Sequence, residues 1–181
     1  MIYMKKLTCP VCGERSLDLT LTTKKVPYFG DVLILSTFCK NCKFKHNDVF
    51  PVEIKQPTCY ELKVKNKEDL NVKVVRSSSG TIEIPELGVK IEPGPAAQGF
   101  ITNVEGILLR VEEVLNAQRV LSKNEKTLRK VDELLGRISL ARDGKFKFTI
   151  RIKDPFGNSA LIGRGVKKKK LTQKEVKKLK R

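Results

Sequence analysis

The chain has 181 residues, with 37 Lys/Arg against 20 Asp/Glu, a net charge of +17 and an apolar fraction of 40%. That length admits one domain, or a small one beside a medium one, and the composition is ordinary for a soluble globular chain. No apolar run, Val32-Leu33-Ile34-Leu35 included, approaches the roughly 20 residues that span a bilayer.

The N-terminus, Met-Ile-Tyr-Met-Lys-Lys, lacks the apolar stretch of a signal peptide, so a cytoplasmic protein with reduced thiols is expected. Cys9-Pro-Val-Cys12-Gly13 and Cys39-Lys-Asn-Cys42-Lys43 follow, two CxxC pairs separated by 26 residues. The spacing is that of a tetrahedral four-cysteine zinc site, each pair a knuckle that points two thiolates at one ion. A disulfide scaffold or a redox CxxC competes less well. One cysteine, Cys59, would be left over, and no βαβ pattern surrounds either pair. Four thiolates close the coordination shell, so Zn2+ held by Cys9, Cys12, Cys39 and Cys42 would be structural. A left-handed turn suits Gly13, whereas Lys43 at the matching place implies strain or a different turn.

Leu17, Leu19 and Leu21 alternate with polar residues as a half-buried strand. Val26 to Asp31 is a turn, and Val32 to Phe38 reads as the return strand. Knuckle, strand, turn, strand, knuckle is a zinc ribbon, assigned to residues 1–55. Tyr28 and Phe29 at its tip are candidate partner contacts, since a small unit cannot bury every aromatic, with packing onto the neighbouring β-domain as the alternative. His46 is expected to be an exposed strand residue, and Cys59 a small buried apolar one.

Short strands at Tyr60–Lys65, Asn71–Arg76, Thr81–Ile84 and Val89–Glu92, punctuated by Ser/Gly/Pro turns, indicate a β-sandwich or barrel over residues 56–163. The period then changes. Thr102-Asn-Val-Glu105 and Ser122-Lys-Asn-Glu125 resemble capping boxes ahead of two apolar helical faces, predicting an antiparallel hairpin at about 103–120 and 124–140. Val114 falls on the first of those faces. Phe146, Phe148, Ile150 and Ile152 alternate with Lys147, Thr149, Arg151 and Lys153 as a strand that completes the β-domain after the hairpin.

Asp154-Pro-Phe-Gly-Asn158-Ser159 has two readings. Its side chains bond to the backbone of a rigid turn, or Asp154, Asn158 and Ser159 are presented to a partner. Residues 164–181 hold ten Lys/Arg and one Glu, which is +9 of the total +17. A disordered basic tail is expected there, with Lys167, Lys168, Lys169 and Lys170 as its densest charge. A basic helix from Leu171 onward would form only against a partner.

The ordered set of CPVCG, CKNC, Ile84-Pro-Glu-Leu87, Thr102-Asn-Val-Glu105-Gly and Asp154-Pro-Phe-Gly-Asn-Ser resembles the ZPR-type zinc-finger family, from Cys9 to about Ile162. The resemblance implies a four-cysteine zinc ribbon followed by a double-stranded β-helix-like domain with an inserted helical hairpin. It is mainly β, and present here as one unit where eukaryotic relatives have two. It also implies protein interaction, with translation elongation factor 1-alpha as the partner that carries over. Lys43 and His46-Asn47-Asp48 depart from the family's usual residues. No nucleotide loop, Ser/His/Asp order or paired carboxylates stand out, so an enzyme is not expected. The alternative is an RNA-binding zinc-ribbon protein that uses the basic tail.

Overall fold

The computed structural model describes residues 2–26, 30–53, 55–94 and 97–179; Tyr28 and Phe29 lie outside them. The chain divides into two units, 1–54 and 55–181.

The first unit is an antiparallel four-stranded sheet in chain order: β1 (Ile2–Leu7), β2 (Leu17–Val26), β3 (Gly30–Cys39) and β4 (Lys45–Pro51). Period-two patterning reveals β2, and the β-rich run from Val32 to Phe38 reveals β3. Strands β1 and β4 carry no such pattern in the sequence and form by backbone pairing to their longer neighbours. Leu17 faces Cys39 across the central pair. Its apolar cluster is small: Cys9, Leu17 and Cys39, with Leu7, Cys12 and Phe44 against them. Beside so small a cluster among the described side chains, metal binding contributes folding free energy directly.

The second unit begins with β5 (Thr58–Val64), a 3-10 turn at Glu68–Asn71, β6 (Lys73–Arg76) and β7 (Thr81–Ile84). A second 3-10 turn (Pro85–Leu87), β8 (Val89–Ile91) and β9 (Phe100–Asn103) lead into helices α1 (Val104–Leu121) and α2 (Glu125–Arg142). The chain closes with β10 (Phe148–Asp154), β11 (Ala160–Ile162), β12 (Lys167–Lys170) and α3 (Gln173–Leu179). Two open sheets result, ordered β12-β5-β10-β7-β8 and β11-β6-β9. Strand β10, arriving after the hairpin, inserts between β5 and β7, so the helices interrupt a sheet that later chain completes.

Alternation explains the core. Leu62 and Val64 of β5, Ile82 and Ile84 of β7, and Phe148, Ile150 and Ile152 of β10 point inward. They meet Val74, Leu161 and the α1 residues Val104, Ile107, Leu108 and Val111. Intervening residues form an outer polar face, where Arg151 bonds Glu61 at 2.6 Å and Lys153 bonds Glu83 at 2.7 Å. Glu86 of the Ile-Pro-Glu-Leu segment accepts from the backbone and hydroxyl of Thr149, at 2.9 and 2.8 Å. That motif therefore pins the second 3-10 turn to β10.

Three sequence expectations change. Asn103, not Thr102, caps α1, its side chain accepting from Gly106 N–H; Asn124, not Ser122, caps α2. In both places the extended backbone persists one or two residues further than the box pattern implies, and asparagine caps as well as serine or threonine. Val114, placed by periodicity on the buried face, is 67% exposed. Residues 164–181 are not a disordered tail. Lys167–Lys170 pair with β5, Leu171 is buried, and α3 follows. Backbone pairing to an open sheet edge and one apolar anchor hold in place a segment whose charge alone argues for solvation.

Candidate metal centre

The two knuckles have matching backbones. Gly13 N–H donates to Cys9 O at 2.9 Å and Lys43 N–H to Cys39 O at 3.0 Å. Cys9 N–H donates to Glu14 O, and Cys39 N–H to Phe44 O, both at 2.9 Å. Each turn closes through a left-handed residue after its second cysteine, Gly13 at φ 75° and Lys43 at φ 63°. The second knuckle thus keeps the same turn and accepts a strained lysine. Lys40 N–H donates to Ser16 O at 2.9 Å, and the Lys40 ammonium pairs with Asp18 of β2 at 3.0 Å, seating the knuckle on the sheet.

The four sulfurs lie within 4.8 Å of one another. Cys9 Sγ–Cys42 Sγ and Cys12 Sγ–Cys39 Sγ are both 3.7 Å. A tetrahedron with Zn–S bonds of about 2.3 Å has edges of about 3.8 Å, so the thiols fit one zinc ion. The Ser16 hydroxyl donates toward Cys39 Sγ at 3.1 Å and Asn41 Nδ2 toward Cys12 Sγ at 3.7 Å. Spacing did not reveal these two supports. Asn41 sits inside a knuckle, where a donor could have been sought, whereas Ser16 carries no sequence signal.

The same contacts set the thiol acidities. Ser16 is the largest influence lowering Cys39, to about 6; the Glu14 and Asn41 hydrogen bonds lower Cys12. For Cys42, the Phe44 N–H bond lowers the value, but desolvation and the neighbouring sulfurs outweigh it and push it up to about 12. Four thiols packed this closely cannot all ionise by themselves; a dication makes that possible. With four protein sulfurs the shell is closed, and the zinc is structural. His46 is an exposed residue of β4 stacked against Phe44, and the metal-ligand cluster among the described residues is the four cysteines. Cys59 is fully buried on β5, and desolvation raises its thiol.

Asp154, Asn158 and Ser159 turn inward, which corrects the reading that offered them to a partner. All three are buried, Asp154 to 1% exposure. Its carboxylate accepts from the hydroxyls of Ser77 (2.6 Å), Ser79 (2.8 Å) and Ser159 (2.6 Å), and from Phe156 N–H (2.8 Å) and Asn158 N–H (3.1 Å). The segment is a polar staple between the end of β10 and the β6–β7 turn. Gly157 adopts φ 68°, and a Cβ there would collide with the Gln56 carbonyl. Lys167 to Lys170 remain exposed, on strand β12.

Two family descriptions match the chain. One, the ZPR1 zinc-finger domain, covers residues 2–56; the other, the ZPR1 jelly-roll domain, covers 68–181 and so includes the lysine strand and α3. An uncharacterised ZPR1-like protein of Pyrococcus horikoshii is 47% identical over 94% of this chain and 78% of its own length. A second, from Methanocaldococcus jannaschii, is 45% identical over 99% of this chain and 91% of its own. A fission-yeast protein named zinc finger chaperone zpr1 is 31% identical over 85% of this chain, which spans 34% of that protein.

Proposed function

The chain belongs to the ZPR1 family as a single-unit member, and from that premise we propose that it is a non-enzymatic protein-binding module acting in the cytoplasm. Its partner is translation elongation factor 1-alpha, which it binds or helps to fold. The zinc clasp is chemically quiet in this reading, and the work lies on surfaces.

The observation that carries the proposal is an apolar groove of about 390 Å³ beside the helical hairpin, lined by Val89, Ile91, Phe100, Val111, Val114 and Leu134. Val120 and Leu121, at the end of α1, are more than 80% exposed. Contiguous exposed apolar surface rimmed by charge is what protein-binding grooves present. The fission-yeast relative's name, a chaperone, supports the same class of partner. Among the described residues no helix is long and apolar enough to cross a membrane.

The test is pull-down and calorimetry of the zinc-loaded chain against the cognate elongation factor 1-alpha, loaded with GDP or GTP. Binding in at least one nucleotide state is expected. Absence of binding in both removes the proposal.

A further inference from the structure

The ordered lysine strand has no role in the function proposed above. In β12, Lys168 lies opposite Tyr60 and Lys170 opposite Thr58 on β5, while Lys167 lies opposite Glu61 and Lys169 opposite Cys59. All four lysines are exposed, as are Lys174, Lys177 and Lys178 of α3, the element that follows. None of the ion pairs among the described residues involves any of these seven.

The acids nearest this strip are committed elsewhere. Glu61 bonds Arg151, and Glu175 accepts from both the backbone and the hydroxyl of Thr172. Seven like charges between residues 167 and 178 repel one another and oppose the folding of this segment. An outer strand needs a charge or two to discourage edge-to-edge association. Four consecutive lysines, followed by three more on the next element, exceed that need.

We propose that β12 and α3 form a docking strip for the phosphodiester backbone of a nucleic acid. The four β12 Cα atoms span about 10 Å of extended chain, and alternation sets Lys168 and Lys170, opposite Tyr60 and Thr58, on one face of the edge and Lys167 and Lys169 on the other, so the charge flanks the sheet edge at fixed spacing. Tyr60 lies under Lys168, with Nζ 5.5 Å from the ring centre, which steadies one of the four ammonium groups. The pairing with β5 and the burial of Leu171 order the strip before any ligand arrives, which removes an entropic cost of binding. A protein partner is the poorer fit. From Lys167 to Lys178 the only apolar residues are Leu171, buried, and Val176, half-buried, so the strip offers none of the anchors on which protein interfaces depend. Such contact reads charge and not base sequence.

The experiment is fluorescence anisotropy of the zinc-loaded full chain with a labelled single-stranded RNA 20-mer, the duplex of the same length and poly-glutamate, each across a salt series. The test variant carries Lys167→Gln, Lys168→Gln, Lys169→Gln and Lys170→Gln. The control removes the same charge elsewhere, at Lys123, Lys126, Lys130 and Lys147. Circular dichroism and zinc content verify that both fold. Should the test variant misfold, single substitutions at Lys168 and Lys170 replace it.

The expected result is binding to at least one of the two RNA forms that weakens steeply with salt. At about 0.7 in slope per phosphate contact, the test variant should flatten the single-strand plot by up to about 3 and lose at least tenfold in affinity, while the control changes less than twofold. The RNA form that binds identifies the source of the phosphates. No binding to either RNA at low salt overturns the proposal. So does equal weakening by test and control variants, or poly-glutamate binding as tight as RNA.

Discussion

Gly13 and Lys43 occupy equivalent places, each one residue beyond the second cysteine of its knuckle, and both are left-handed, at φ 75° and 63°. A side chain in that region costs about 1–2 kcal/mol, which glycine avoids. Lys43→Gly should therefore stabilise the zinc ribbon by about 0.5–1 kcal/mol, once the added freedom of the unfolded chain is counted. The checking measurement is the rate of zinc release to a chelator, which should slow. Faster release would show that the Lys43 ammonium bond to Lys40 O, at 2.9 Å, outweighs the strain.

Metal removal should act on one unit only. The sheet of residues 2–53 has a small apolar cluster centred on its own cysteines, whereas the unit from residue 55 onward has an independent core of Leu62, Ile82, Ile150 and Ile152. Cys39→Ser, or prolonged chelation, should lose the single zinc and the amide dispersion of the first unit in NMR spectra. Resonances of the second unit should persist. Collapse of both sets would contradict this division.

Asp154→Asn should destabilise the second unit by about 3 kcal/mol, because a neutral amide cannot accept from all three serine hydroxyls and two backbone N–H groups. Burial pushes the Asp154 carboxyl up, but the Ser159, Ser77, Phe156 N–H and Ser79 hydrogen bonds outweigh it and hold the value below the usual carboxylate range. The folded value lies below the unfolded one, so this contribution is complete above about pH 4 and is lost as pH falls through the folded value. Urea denaturation from pH 6 to pH 2 should show that loss in the natural chain and a shallower fall in the variant. Parallel pH profiles would argue against the staple.

Val114→Glu should leave stability within about 0.5 kcal/mol of the natural chain, since the side chain is 67% exposed. It should weaken elongation-factor binding at least tenfold if the groove is the contact face. Unaltered binding would move that face elsewhere.

Local patterns made much of this molecule readable. Two CxxC pairs specify zinc ligands because a knuckle is four residues of backbone geometry, complete within itself. Period-two alternation from Phe148 to Ile152 and helical spacing from Val104 to Leu115 announce their elements because burial repeats with the backbone's own period. What the tertiary structure decided were contacts between residues far apart in the chain. Asp154 reads as a local turn residue or as a partner contact until Ser77 and Ser79, more than seventy positions earlier, arrive to satisfy it. Strands β1, β4 and β12 owe their conformation to unpaired neighbouring edges, and no side-chain pattern encodes a vacancy in another strand. Lys167 to Lys170 show the reason most plainly. Charge repulsion is written locally and favours a solvated tail, but the hydrogen bonds that β5 offers and the pocket that takes Leu171 exist only once the sheet has formed.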